Sequence, residues 1–177
     1  MQRVPLADFE PVLKKRLEDL WGSPVNLYRA LGNHPALVGA WTEFAQSIRA
    51  DTRTPRALRE LMILRSGQVQ HSEYEWAQHL RMARKAGVRE AQIEALANWR
   101  ESKEFDATER AALGLLEGVT ACKLDDATWN AAAGIFTREE MLELVMVAGF
   151  YSMVARVLDA LRVPLDDDIR DHAPRLP

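Results

Sequence analysis

The chain has 177 residues, 47% of them hydrophobic and 28% charged, with a formal net charge of −3. That length suits one globular domain with a core of its own, and the composition excludes an intrinsically disordered chain. The mild acidity excludes the basic footprint of a nucleic-acid or anionic-membrane binder.

The longest uninterrupted apolar run, Leu144 to Tyr151, has eight residues, too few for a bilayer-crossing helix. The opening MQRVPLADFEPVLKK lacks the apolar stretch of a secretory signal. One cysteine, Cys122, excludes an internal disulfide and fits a reducing compartment, where it reads as a small core or half-buried residue. A cytoplasmic protein is expected, with no nucleic-acid and no membrane partner.

Phe9, Val12, Leu13, Leu17 and Leu20 recur at helical intervals and predict a helix over about 8–21, ended by Gly22-Ser23-Pro24. Helices follow over 25–31 and 35–50, the second opened by Pro35 and carrying Leu37, Trp41, Phe44 and Ile48. Thr54-Pro55 puts a hydroxyl at the N-cap and proline at the first position of a helix over 55–68. Ser72-x-x-Glu75 has the form of a capping box and opens a helix to Gly87. A short helix at 89–99 comes next, then one from Asp106-x-x-Glu109 to about Cys122, and a shorter one after Asp125-Asp126. Thr137-x-x-Glu140 opens the longest apolar helix, which reaches Leu161 before Pro164. The remaining LDDDIRDHAPRLP reads as a loosely held tail with a solvated acidic run at 166–168. No segment alternates as a strand does, so the fold class is all-α. The expected organisation is a single domain over 1–165, with an N-terminal helical extension over about 1–50, a core motif over 55–161 and a tail over 166–177. A glutamate followed by an apolar run recurs at 59–64 and 142–147, a faint sign of two related helical hairpins.

Residues 55–87 carry the chemistry. Glu60 sits among Leu58, Leu61, Met62, Ile63 and Leu64, on a helix apolar nearly all round. A carboxylate there is either paired with an arginine such as Arg56 or Arg65, or a site carboxylate with a raised pKa. Glu75 and His79, four apart, share a helical face with Ser72 at its start. They read either as a proton-transfer pair near a helix N-terminus or as a cap beside a packing histidine. His71, Glu75 and His79 are ligand types that zinc accepts, but His71 falls outside the helix that Ser72 caps. No metal is therefore expected. Phosphate loops, nucleophile elbows and dinucleotide fingerprints are missing.

The segment RALRELMILRSGQVQHSEYEWAQHLRMARKAGV (56–88), with FDATERAALGLLEGVT (105–120) and FTREEMLELVMVAGFYSMVARVLDAL (136–161) after it, resembles the carboxymuconolactone decarboxylase family, which also contains the AhpD-type alkylhydroperoxidases. The resemblance implies an AhpD-like helical bundle that assembles as a homo-oligomer, commonly a trimer or hexamer. Glu60 matches the glutamate of the family's first motif helix. Ser72 and Glu75 stand where the peroxidase branch has its CxxC pair, Tyr74 where it often has a histidine, and His79 matches the histidine four residues after the second cysteine. Serine supplies no thiolate and glutamate no resolving disulfide, which excludes two-cysteine peroxidase chemistry.

The decarboxylase branch also lacks the pair, keeps the histidine, and acts without a cofactor on a small lactone carboxylic acid. The resemblance therefore implies cofactor-free acid–base chemistry on a small carboxylated metabolite, with Glu60, Glu75 and His79 catalytic and Ser72 and Tyr74 contacting the substrate. Two alternatives stay open: another lyase, isomerase or hydratase on the same scaffold, and a non-catalytic member that binds a small acid or only oligomerises.

Overall fold

The computed structural model describes residues 2–21, 25–170 and 176–177, and all regular structure among them is helical. The predicted stop at Gly22-Ser23-Pro24 lies outside the described residues, as do residues 171–175 of the tail. The chain divides into two compact units, Met1–Asp51 with Val157–His172, and Thr52–Arg156 with Ala173–Pro177.

The first unit holds α1 (Pro11–Trp21), α2 (Asn26–Leu31), α3 (Pro35–Ala50), the end of α9 and the short α10 (Asp167–Arg170). His34 caps α3, its Nδ1 accepting from Leu37 N at 3.3 Å, and Pro35 supplies the first-turn proline. The buried stripe of α3 is Val38, Trp41, Thr42, Ala45 and Ile48, while Leu37 and Phe44 turn outward. On α1, Leu17 is fully buried and Val12 exposed. Asp166 departs from the expected solvated tail. It is buried, and its Oδ1 accepts from Asn26 N at 2.6 Å, while the Asn26 side chain donates to Pro164 O and Leu165 O. These bonds satisfy backbone groups that water would otherwise have to reach.

The second unit holds α4 (Arg56–Val69), α5 (Glu73–Ala86), α6 (Glu90–Ala95) with a 3-10 turn at Leu96–Asn98, α7 (Ala107–Thr120), α8 (Asp126–Ala133) and most of α9 (Arg138–Leu161). The local cap signals hold where side chains are free to fold back. Asp106 and Glu109 form a reciprocal capping box, Asp125 Oδ1 accepts from Thr128 N at 2.7 Å, and Thr137 pairs with Glu140. Thr54 does not cap α4. Its hydroxyl and carbonyl take the buried Arg59 guanidinium, and its N–H, with that of Arg53, goes to Glu143 of α9. Pro55 occupies the cap position with no side-chain bond, because tertiary partners claimed the threonine first.

α4 belongs to both apolar clusters of this unit. Leu61 and Leu64 pack with Trp76, Leu80, Leu96 and Trp99, while Leu58 and Met62 pack with Leu115, Leu116, Phe136 and Leu144. Gly67 lets α4 and α5 close up, since a Cβ there would lie 3.3 Å from Trp76 N. By length and composition α9 alone, among the described residues, could cross a membrane, which the count of uninterrupted apolar residues missed. However, 56% of its apolar window is buried, as in a core helix.

Candidate active site

α4 and α5 are joined by three residues, Gln70 to Ser72, and pack as a helical hairpin. His71 takes the left-handed conformation (φ 54°) that ends α4, and Ser72 begins α5, its Oγ accepting from Glu75 N at 3.4 Å. This turn sets Glu75 in the first turn of α5 and His79 one turn later on the same face, with His79 Nε2 3.7 Å from Glu75 Oε2. From the facing helix α4, Glu60 Oε2 lies 2.8 Å from His79 Nδ1. Arg56, one turn before Glu60, pairs with its other oxygen, Oε1. Tyr151 of α9 stands edge-on to the His79 ring, at 5.0 Å between centroids and 90° between planes.

The result is a chain of charges running Arg56–Glu60–His79–Glu75. Glu60 is 0% exposed, His79 2% and Glu75 4%, while the Arg56 side chain is 37% exposed and carries the line to the surface. A carboxylate only accepts, so Nδ1 holds the N–H toward Glu60 and Nε2 is the ring nitrogen turned to Glu75. The 3.7 Å between Nε2 and Glu75 is longer than a direct hydrogen bond.

Of the two readings left open for Glu60, the pair with an arginine holds and the raised pKa is overturned. Burial pushes this carboxyl up, but the charge and hydrogen bond of His79, then those of Arg56, outweigh it and hold the group below the usual range. Of the two arginines considered as partners, Arg56 is the one that reaches Glu60, and Arg65 turns to Glu117. Because the folded value lies below the unfolded one, Glu60 stabilises the fold fully above about pH 4.3 and loses that contribution as pH falls through the folded value. Unfolding free energy measured from pH 6 down to pH 3 should therefore fall, and the slope should flatten in Glu60→Gln. An equally steep acid limb in both proteins would contradict the assignment.

Glu60, Glu75 and His79 are thus brought together, and Ser72 and Tyr74 are buried at the start of the same helix. His71 is not among them. The left-handed backbone turns it out to solvent, and no group of three metal-ligating side chains forms among the described residues. Cys122, expected in the core or half-buried, is exposed instead at a left-handed position (φ 53°) just beyond α7. Sequence reading missed Tyr151, which lies far from the motif in sequence and shows no local signal beyond its place in an apolar helix.

Residues 35–118 match the model of the carboxymuconolactone decarboxylase family. That stretch, just under half of the chain, is similar to the family. The chain's fold is that of AhpD-like proteins. An uncharacterized peroxidase-related protein from Silicibacter sp. TM1040 superimposes with a TM-score of 0.82 at 16% identity, covering 98% of this chain and 96% of its own. An AhpD-core, peroxidase-related protein from Ralstonia eutropha JMP134 gives 0.82 at 16%, covering 96% and 94%. A cysteine-to-alanine variant of the debrominase Bmp8, in complex with 2,3,4-tribromopyrrole, gives 0.78 at 18%, covering 94% of each chain. No curated protein matches the sequence. The fold is thereby shown, and the two neighbouring chemistries named, peroxidase and debrominase, belong to those proteins.

Proposed function

We propose that this chain acts as a member of the carboxymuconolactone decarboxylase family and performs cofactor-free acid–base chemistry, the decarboxylation of a small carboxylated metabolite of lactone or aromatic-derived type. The observation that carries the reading is His79, fixed through Nδ1 by Glu60 at 2.8 Å with Nε2 turned toward Glu75. The substrate C–C bond to the carboxylate breaks, carbon dioxide leaves, and the electron pair stays on carbon as an enolate. Nε2–H of the imidazolium protonates that carbon, and Glu75 returns a proton to Nε2. Glu60 stabilises the imidazolium while it exists, and Arg56 keeps Glu60 ionised. The first turn of α5, with Ser72 and Tyr74, receives the anionic oxygen. Ser72 and Glu75 offer no thiol where the peroxidase branch keeps its pair, which favours this branch of the family. The same reading includes a homo-oligomer, with Leu142, Met146 and Met153 exposed along α9 as apolar surface to be covered.

Near-complete burial of Glu60, His79 and Glu75 favours a second reading, a small-acid binder without turnover. A thermal-shift screen of lactone, aromatic and keto acids, followed by carbon dioxide release on each hit, separates the two. A ligand at a hundred times its Kd stabilises by about 2.7 kcal/mol. A stabilising acid that releases carbon dioxide supports decarboxylation, whereas stabilisation without any reaction supports the binder.

A further inference from the structure

A second feature of the same unit lies apart from the relay. A cleft of about 370 Å³ opens where α4 and α7 end, walled by Arg65 and Val69, by Glu117, Thr120 and Ala121, and by Arg156 of α9. That volume is within the range of small-molecule sites.

Arg65, Thr120 and Arg156 bring donors to the cleft, while Gln70, also in its wall, gives its own amide N–H to Ser66 Oγ at 2.8 Å. Arg156 is exposed and gives Nη1 to Ser152 O of its own helix at 2.8 Å, with no carboxylate paired to it among the described residues. Arg65 gives Nε to Glu117 Oε1 at 2.7 Å and Nη1 to Gln68 Oε1 at 2.9 Å, which leaves Nη2 over. Thr120 Oγ1 accepts from Ser152 Oγ at 3.3 Å, so its own O–H remains to be given. The one acid in the cleft is already taken. Glu117 Oε1 also receives Trp99 Nε1 at 2.9 Å, and its Oε2 pairs with Arg100 at 2.6 Å. Two guanidinium groups, those of Arg65 and Arg100, therefore share one carboxylate, and the charge of Arg156 is left over.

We propose that this cleft binds the carboxylate of a small organic acid, held by Arg156, the remaining N–H of Arg65 and the Thr120 hydroxyl, with Val69 and Ala121 against its apolar body. A carboxylate supplies only acceptors and matches a set of donors. None of the walls belongs to the Arg56–Glu60–His79–Glu75 line, so the proposal stands independently of the reaction assigned there. An occupant would tie α4 to α9, the helices that bring Glu60 and Tyr151 to His79.

The test is calorimetric titration of the full chain with sodium benzoate and, separately, with inorganic phosphate. Arg156→Gln and His79→Ala serve as the variants. The hydrogen bond of the Arg156 side chain stays within its own helix, so Arg156→Gln should keep the wild-type melting temperature. The expected result is saturable benzoate binding at one per chain, weakened about tenfold or more in Arg156→Gln, as for a lost charge-assisted bond. Binding should be retained in His79→Ala. Absence of saturable binding, equal affinity in wild type and Arg156→Gln, or loss in His79→Ala would each overturn the proposal. Binding of phosphate in preference to benzoate would overturn the organic-acid assignment.

Discussion

Glu60→Ala is expected to destabilise the protein by roughly 3–5 kcal/mol, the usual consequence of removing one partner from a buried ion pair. Glu60 is 0% exposed and is held on one oxygen by Arg56 and on the other by His79 Nδ1. Its removal strands the Nδ1–H and a guanidinium that is only 37% exposed, and it leaves a void between α4 and α5. At about 2–4 °C per kcal/mol for a chain of this size, the melting temperature should drop by roughly 6–20 °C. Glu60→Gln keeps the shape and one acceptor and should lose less. Calorimetric or denaturant unfolding decides the matter, and a loss below about 1 kcal/mol in Glu60→Ala would mean that the carboxylate is not structurally engaged.

His79→Ala should lower turnover of a substrate acid by about 10²–10⁴-fold, the typical worth of a positioned general acid. The fall should lie in kcat, with KM little changed, because the imidazole acts on carbon only after the carboxylate has begun to leave. Glu75→Gln should change turnover in the same direction, since the group beside Nε2 would no longer return a proton to it. Full activity in purified His79→Ala would remove the imidazole from the mechanism. A rise in KM at constant kcat would recast His79 as a binding group.

Much of the fold and the site is legible in the sequence, for a local reason. Caps such as Asp106 with Glu109, and the Glu75–His79 spacing, depend on residues three or four apart, whose geometry the helix itself sets. Glu60 could be singled out because a charge amid Leu61, Met62, Ile63 and Leu64 demands a partner. The features that escape such reading depend on distant segments. Thr54 lost its capping role to Arg59 and Glu143, and Asp166 left the solvent for the backbone of Asn26. The direction of the Glu60 shift turned on which groups reached it, and burial alone pointed the other way. Leu37 and Phe44 kept the helical spacing of a core face yet lie outside it, since spacing gives a period without fixing how wide the covered stripe is.

The position of α4 in both apolar clusters has a thermal consequence. The helix that presents Glu60 to His79 is also the element on which Leu61 and Leu64 join one cluster and Leu58 and Met62 the other. Partial opening of the hairpin would disrupt both clusters at once, so no cheap local excursion separates Glu60 from His79. Heat inactivation and global unfolding should then trace a single curve, and the amides around Glu60 should be among the slowest in the chain to exchange with deuterium.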